Sequence, residues 1–294
     1  MKGPTSNPRL ASLPARRSSS GVVYRTVGDG RPLVLVHGGS GSWLHWWRNI
    51  EPLARGHRVI AVDLPGYGES DDVPENISLD DYVQRVVRAV GEAAPAADSF
   101  DVVAFSFGGL IGAGVATQLG RGVHRTILFA PSGFQRPVGR ELGRRPRSTF
   151  PEGAEGDRAF IRHNLLAMML AHPASVDEDA IAIQSWNLAH ARFQNLNDRF
   201  SFSNRLPAFL AQLRCPLLLA YGEKDRTPYP SRDARAAVCR AAAPDLAFEV
   251  VPDAGHWLQF ERPDRTNDLI ERFLAGEYRE STGPSTSMAA NHDI

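Results

Sequence analysis

Val102-Val103-Ala104-Phe105-Ser106-Phe107-Gly108-Gly109 is the stretch on which the reading of the fold turns. An apolar, β-forming run ends at a serine, and a helix-like run of small and apolar residues begins immediately after it. A serine at such a strand-to-helix turn takes a strained backbone conformation, so the positions two before and two after it need small side chains. Ala104 and Gly108 meet that need, although glycine is the usual residue at the first position. A serine capping an ordinary core helix would give a similar local string, and the surrounding chain decides between the two.

Outward from this turn, the same alternation repeats. Strands are expected at Val22 to Val27, Leu33 to Val36, Arg58 to Val62, Phe100 to Phe105, Arg125 to Phe129, Leu217 to Tyr221 and Ala247 to Val251. Most are continuous apolar runs, as expected for parallel strands buried on both faces. Helical patterns separate them. Ser78 can cap a helix with Asp81 at its third position, after which Tyr82, Val83, Val86, Val87 and Val90 recur at helical spacing. Asp264 to Phe273 supplies a closing helix. The fold class is therefore α/β, a mostly parallel central sheet flanked by helices.

The alternation breaks between about Pro131 and Arg214, a span too long for a loop in a compact domain. Residues 131–213 are expected to form an inserted helical lid, with helices over Arg158 to Ala171 and Asp177 to Phe193. Its opening part, carrying Arg136, Arg140, Arg144, Arg145 and Arg147 among Gly and Pro, is expected to be mobile. The core then comprises residues 21–130 and 214–278. The polar, small-residue ends, 1–20 and 279–294, are expected to be disordered tails.

Composition excludes several function classes. Lys and Arg number 33 against 33 Asp and Glu in 294 residues, so no net field favours nucleic acid or an acidic membrane surface. Cys215 and Cys239 are too few and too far apart for a disulfide framework and are expected as buried thiols in a reducing compartment. No apolar leader precedes residue 20 and no run reaches membrane-spanning length, so a cytoplasmic location is expected. The expected partner is a small molecule, and assembly into a homo-oligomer is left open. No metal and no organic cofactor is called for, since no histidine pair has HExxH or other ligand spacing.

The chemistry is expected at the carboxyl ends of the strands. After Leu33 to Val36 comes His37-Gly38-Gly39-Ser40-Gly41-Ser42, whose glycines let backbone amides face a ligand. This is how an oxyanion hole is built: Phe107 N–H and Gly39 N–H are the expected donors, with Ser40 the fallback. The loop lacks the lysine of a P-loop and the GxGxxG spacing. A carboxylate, Asp225, follows the strand Leu217 to Tyr221, and His256 follows the strand Ala247 to Val251. Ser106 is then the candidate nucleophile, His256 the base and Asp225 its orienting acid. Glu223 and Asp253 are weaker acids. His37 is expected to be structural, packed beneath the site, and the Asp63 to Ser70 turn to border the pocket without chemistry. Ser40, Trp43, Phe105, Phe107, Met168, Met169, Trp186 and Trp257 are the candidate pocket residues, and together they favour an apolar or aromatic substrate.

Taken in order, His37-Gly38-Gly39, the Asp63 to Ser70 turn, the Ser106 elbow, Asp225 and Gly255-His256 closely resemble the α/β-hydrolase superfamily over residues 21–276. The resemblance implies the α/β-hydrolase fold and a cofactor-free serine hydrolase. Gly255-His256-Trp257-Leu258-Gln259-Phe260-Glu261 also looks like the meta-cleavage-product hydrolases, which split carbon–carbon bonds in ring-fission dienones. That branch usually has asparagine where this chain has Phe105, and a lid arginine-tryptophan pair where it has Ser185-Trp186. Haloalkane dehalogenases and epoxide hydrolases of the same fold place aspartate at the elbow, which Ser106 excludes. The expectation is hydrolysis of a carboxylic ester or lactone through an acyl-enzyme. Carbon–carbon hydrolysis of a vinylogous diketone is the second reading, and a ligand receptor with little turnover the third. Lyase, perhydrolase or acyl-transferase activity would use the same three side chains.

Overall fold

The computed structural model describes residues 4, 6–136 and 141–279, with side chains throughout except at 194–196. Eight strands are described: β1 (Arg16–Arg17), β2 (Val23–Val27), β3 (Arg31–Val36), β4 (His57–Asp63), β5 (Phe100–Phe105), β6 (Val123–Phe129), β7 (Leu217–Gly222) and β8 (Ala247–Val251). They form one sheet in the order β1-β2-β4-β3-β5-β6-β7-β8. The pairs involving β2 are antiparallel, and every other pair is parallel. This is the mostly parallel α/β sheet expected from the sequence pattern, in the α/β-hydrolase fold that the resemblance implied.

The helices are α1 (Pro8–Ala11), α2 (Ile50–Leu53), α3 (Leu79–Ala93), α4 (Phe107–Leu119), α5 (Ala154–Asn164), α6 (Glu178–Ala189), α7 (Gln194–Ser201), α8 (Leu206–Leu210), α9 (Arg232–Ala242), α10 (Leu258–Glu261) and α11 (Pro263–Ala275). Local chemistry places their starts. Ser78 accepts the Asp81 N–H at 3.0 Å and donates to the Asp81 carboxylate at 2.7 Å, which satisfies an amide that the first turn of α3 would leave unpaired. Asp177 caps α6 through the Ala180 N–H, and Ser231 caps α9 through the Ala234 N–H. Helix α4 is apolar all round and is buried from Phe107 to Ala116, so it lies at the centre of its layer.

Because strand side chains alternate, the sheet separates two apolar cores. Val34, Val62, Val102, Leu128 and Leu219 face one, with α3, α4 and α8 against them. Leu35, Ala61, Val103, Ile127 and Leu218 face the other, with Trp46, α2, Trp257 and α11 against them. Burial on both faces explains why these strands read as continuous apolar runs.

Three expectations need correcting. Residues 6–20 are not a disordered tail. Asn7 caps α1, whose Leu10 is only 2% exposed within the second core, and Arg16–Arg17 adds a strand to the sheet edge. Leu10 and half-buried Leu13, too short a run to give a periodic signal, pack the segment onto the core, and the Asn7–Glu51 hydrogen bond adds to them. Within 131–213, the expected helix over Arg158 to Ala171 is α5 followed by a single π-turn at Leu165–Met169, and α7 and α8 were not foreseen. Polar α7 and Pro207-containing α8 carry little apolar periodicity. Cys239 is buried but Cys215 is half-buried, both as free thiols. Arg140 and residues 280–294 of the second expected tail lie outside the described residues.

Leu10→Ala should lower the unfolding free energy by about 2–4 kcal/mol, read as a shifted urea midpoint with an unchanged slope. A disordered segment would leave the midpoint where it was.

Candidate active site

Ser106 occupies the sharp turn between β5 and α4 with φ 54° and ψ −119°, a conformation costly for any residue with a Cβ. Hydrogen bonds hold it there: its N–H donates to Phe129 O at 2.9 Å, and its C=O accepts from Gly109 N–H at 2.8 Å and Ser132 N–H at 2.9 Å. The small neighbours are sterically required. A Cβ on Gly108 would lie 2.2 Å from His37 O. Ala104 is tolerated in place of glycine because the facing residue of α4 is Gly112, whose added Cβ would sit 2.4 Å from that of Ala104.

Parallel register delivers the other two groups to the same sheet edge. Asp225 follows β7 in a turn closed by its own N–H to Gly222 O, and His256 follows β8. The two loops touch, since a Cβ on Gly222 would fall 2.1 Å from Gly255 O. His256 Nε2 lies 2.9 Å from Ser106 Oγ, and its Nδ1 lies 2.9 Å from Asp225 Oδ2. The His256 side chain is 6% exposed and that of Asp225 is fully buried. A serine hydroxyl, imidazole and carboxylate linked in this way can generate an alkoxide nucleophile and return its proton to a leaving group. Glu223 and Asp253 point elsewhere. The Glu223 carboxylate accepts the Asp253 N–H, and Asp253 pairs with Lys224 and Arg262, which hold its carboxyl far below the usual range.

Two buried histidines grip Gly38 of the glycine loop. His37 Nδ1–H donates to Gly38 O at 2.7 Å while its Nε2 accepts the Leu64 N–H at 2.8 Å; His45 Nδ1 accepts the Gly38 N–H at 3.2 Å. Both rings must be neutral to play these parts. Burial keeps them so, pushing His37 down to about 4 and His45 well below the ordinary imidazole value. The Tyr67 hydroxyl donates to Phe193 O at 3.5 Å, and burial holds it un-ionised. Asp63 anchors the other side of the loop by accepting Trp43 N–H at 2.8 Å and Glu69 N–H at 3.1 Å, with its carboxyl raised by burial to about 6.

A cavity of about 910 Å³ opens over Ser106, between the sheet edge and the inserted helices. Gly39, Ser40, Phe105, Phe107, Met168 and Met169 border it together with His256. Three of the candidate pocket residues do not. Trp257 is fully buried, donates to His45 O and stacks on Phe260 at 4.1 Å; Trp43 lies beneath the Arg25 guanidinium; Trp186 stacks on His190 at 3.9 Å. An aromatic residue reads the same in sequence whether it faces a core or a cavity.

The structure adds a role for Glu261, which the sequence reading quoted only as the end of the Gly255 to Glu261 stretch. Its 5%-exposed carboxylate accepts Gly255 N–H at 2.7 Å, His172 N–H at 2.9 Å and Ala171 N–H at 3.0 Å. It thereby ties the His256 loop to the end of the π-turn. Thr227 is a second addition: its N–H donates to Asp225 Oδ1 at 2.8 Å, and its hydroxyl lies 2.9 Å from His256 Nδ1.

The pKa shifts set the pH response of stability. His37 and His45 stay neutral in the fold where the unfolded chain binds protons, so each removes stability as pH falls below about 6.5. Asp63 works oppositely, binding a proton in the fold that the unfolded chain has released, so it removes stability as pH rises from about 4 to 6. Two groups outweigh one. The unfolding free energy should fall between pH 6 and 4.5, and the fall should be shallower in His37→Gln by about 1.4 kcal/mol per pH unit, measured by urea titration. Parallel slopes would contradict the assignment.

The sequence profile of the alpha/beta hydrolase family matches residues 33–269. Over 261 residues the chain is 25% identical to the 2-hydroxy-6-oxo-6-phenylhexa-2,4-dienoate hydrolase of Burkholderia cepacia, covering 85% of this chain and 89% of that one. It is 27% identical over 289 residues to the 2-hydroxy-6-oxononadienedioate/2-hydroxy-6-oxononatrienedioate hydrolase of Escherichia coli, covering 86% and 91%. Among solved structures, a Rhodococcus esterase superposes with a TM-score of 0.70 at 22% identity, over 91% of this chain and 100% of that one. A meta-cleavage product hydrolase of Pseudomonas fluorescens superposes with a TM-score of 0.68 at 22% identity, over 90% and 98%. At these identities the structural likeness is one of fold.

Proposed function

Because the chain belongs to the alpha/beta hydrolase family, we propose that it is a serine hydrolase cleaving a carboxylic ester or lactone of a small apolar or aromatic substrate. The observation that carries this reading is the continuous contact from Ser106 Oγ through His256 to Asp225, at 2.9 Å each, opening into the cavity. Ser106 Oγ attacks the substrate carbonyl as His256 Nε2 takes its proton. Asp225 holds the imidazole and stabilises its charge. The Gly39 and Phe107 amides receive the oxyanion. His256 then passes its proton to the leaving alcohol, and water, activated by the same imidazole, releases the acid. The segment 131–213 acts as the lid over this chamber.

Carbon–carbon hydrolysis of a vinylogous diketone is the second reading, favoured by the names of the two curated relatives. The ester reading stands first because the wall beside the base is apolar: the Phe105 ring lies 4.9 Å from that of His256. Phe105 itself offers a dienolate no polar partner at that position.

The test is the kcat/KM of the purified protein for 4-nitrophenyl butyrate and for 2-hydroxy-6-oxo-6-phenylhexa-2,4-dienoate, beside Ser106→Ala. The expected result is turnover of the ester, reduced at least ~10³-fold in the variant. Serine-dependent turnover of the dienoate alone would replace the first reading with the second. Equal rates in native and variant protein would contradict both.

A further inference from the structure

We propose that Thr227 is a positioning residue for the base, supplying a second acceptor to the His256 Nδ1–H and fixing the outer oxygen of Asp225. The inference rests on His256 acting as the base of the proposed reaction. In the relay described above, the imidazole presents one N–H at Nδ1. Asp225 Oδ2 and Thr227 Oγ1 both lie 2.9 Å from that nitrogen, so its single proton is shared between them. The backbone N–H of Thr227 meanwhile donates to Asp225 Oδ1 at 2.8 Å. One residue thus touches both partners of the relay, through its hydroxyl on one side and its peptide on the other.

The placement is fixed from both ends. Pro228 follows and is buried, which confines residue 227 to extended backbone. Arg226 precedes it, and its guanidinium donates to the carbonyls of Leu166 and Ala167 in the π-turn, at 2.6 Å each. The hydroxyl is therefore held against the ring by its own loop and by the inserted segment.

The consequence is electrostatic. When the imidazole takes up a proton its Nδ1–H becomes a stronger donor, and both acceptors bind it more tightly. A second oxygen at Nδ1 therefore favours the charged form. The other titratable groups facing His256 or Asp225 are not altered by a change at position 227. His45, in the segment Trp43–Trp46, is kept neutral by burial, as is Tyr221 at the end of β7, next to the Asp225 loop. Ser106 supplies an un-ionised hydroxyl on the opposite nitrogen.

Thr227→Val removes the hydroxyl and keeps both the shape and the backbone N–H; Thr227→Ser keeps the hydroxyl. Two readouts are taken on the full-length protein. One is kcat/KM for 4-nitrophenyl butyrate against pH. The other is an NMR titration of the His256 ring in histidine-labelled protein, assigned with His256→Gln. Losing an acceptor at Nδ1 disfavours imidazolium, so the valine variant should titrate at lower pH in both readouts and lose roughly tenfold in kcat/KM. Serine should restore both. A valine variant with the native midpoint, even one with a reduced rate, would overturn the proposal, as would a serine variant impaired like valine. The NMR titration does not depend on turnover, so protein inactive on the ester would count against the hydrolytic reading while leaving Thr227 to be decided by the midpoint.

Discussion

The strained turn at Ser106 is the constraint around which the rest of this molecule is arranged. A serine at φ 54° can be held only if neighbouring elements come close enough to fix its peptide groups, and they do. The approach of α4 to the His37 carbonyl leaves no room for a Cβ at Gly108, and its approach to β5 is shared between Ala104 and Gly112. Such strain persists where the surroundings over-determine it. Here the surroundings are a parallel sheet buried on both faces, in which β5 sits centrally between β3 and β6.

The same closeness organises the groups around the serine. Gly38 is held through its N–H by His45 and through its C=O by His37, and Asp63 holds the Trp43 N–H further along the same segment. These groups are buried and titratable, and the fold keeps them in uncharged or paired forms. On the opposite side, Glu261 and Arg226 tie the π-turn to the loops carrying His256 and Asp225. The inserted segment is therefore bonded to the loops that carry both Asp225 and His256. Its position and that of the relay are mechanically linked.

Much of this was legible in the sequence because it rests on local patterns. Continuous apolar runs marked the buried parallel strands, and Ala104-Phe105-Ser106-Phe107-Gly108 marked the turn. Asp225 and His256 could be singled out because each follows such a run. What was not legible depends on direction and distance. Trp43, Trp186 and Trp257 look like pocket residues until their rings are seen to pack on Arg25, His190 and Phe260. Glu261 and Thr227 act on backbone amides and a ring nitrogen brought near by folding, for which no spacing rule exists. Leu10 is the one fully buried apolar residue of residues 6–20, with Leu13 half-buried beside it, and so short a run makes no pattern.

The central claim is that Ser106 is a nucleophile activated by His256. Reaction with a small fluorophosphonate, read by intact mass and peptide mapping, tests it without presupposing a substrate. The account predicts one phosphonyl group per chain, on Ser106, and its loss in His256→Gln. A native protein that stays unlabelled, or carries the group on another residue, would contradict it.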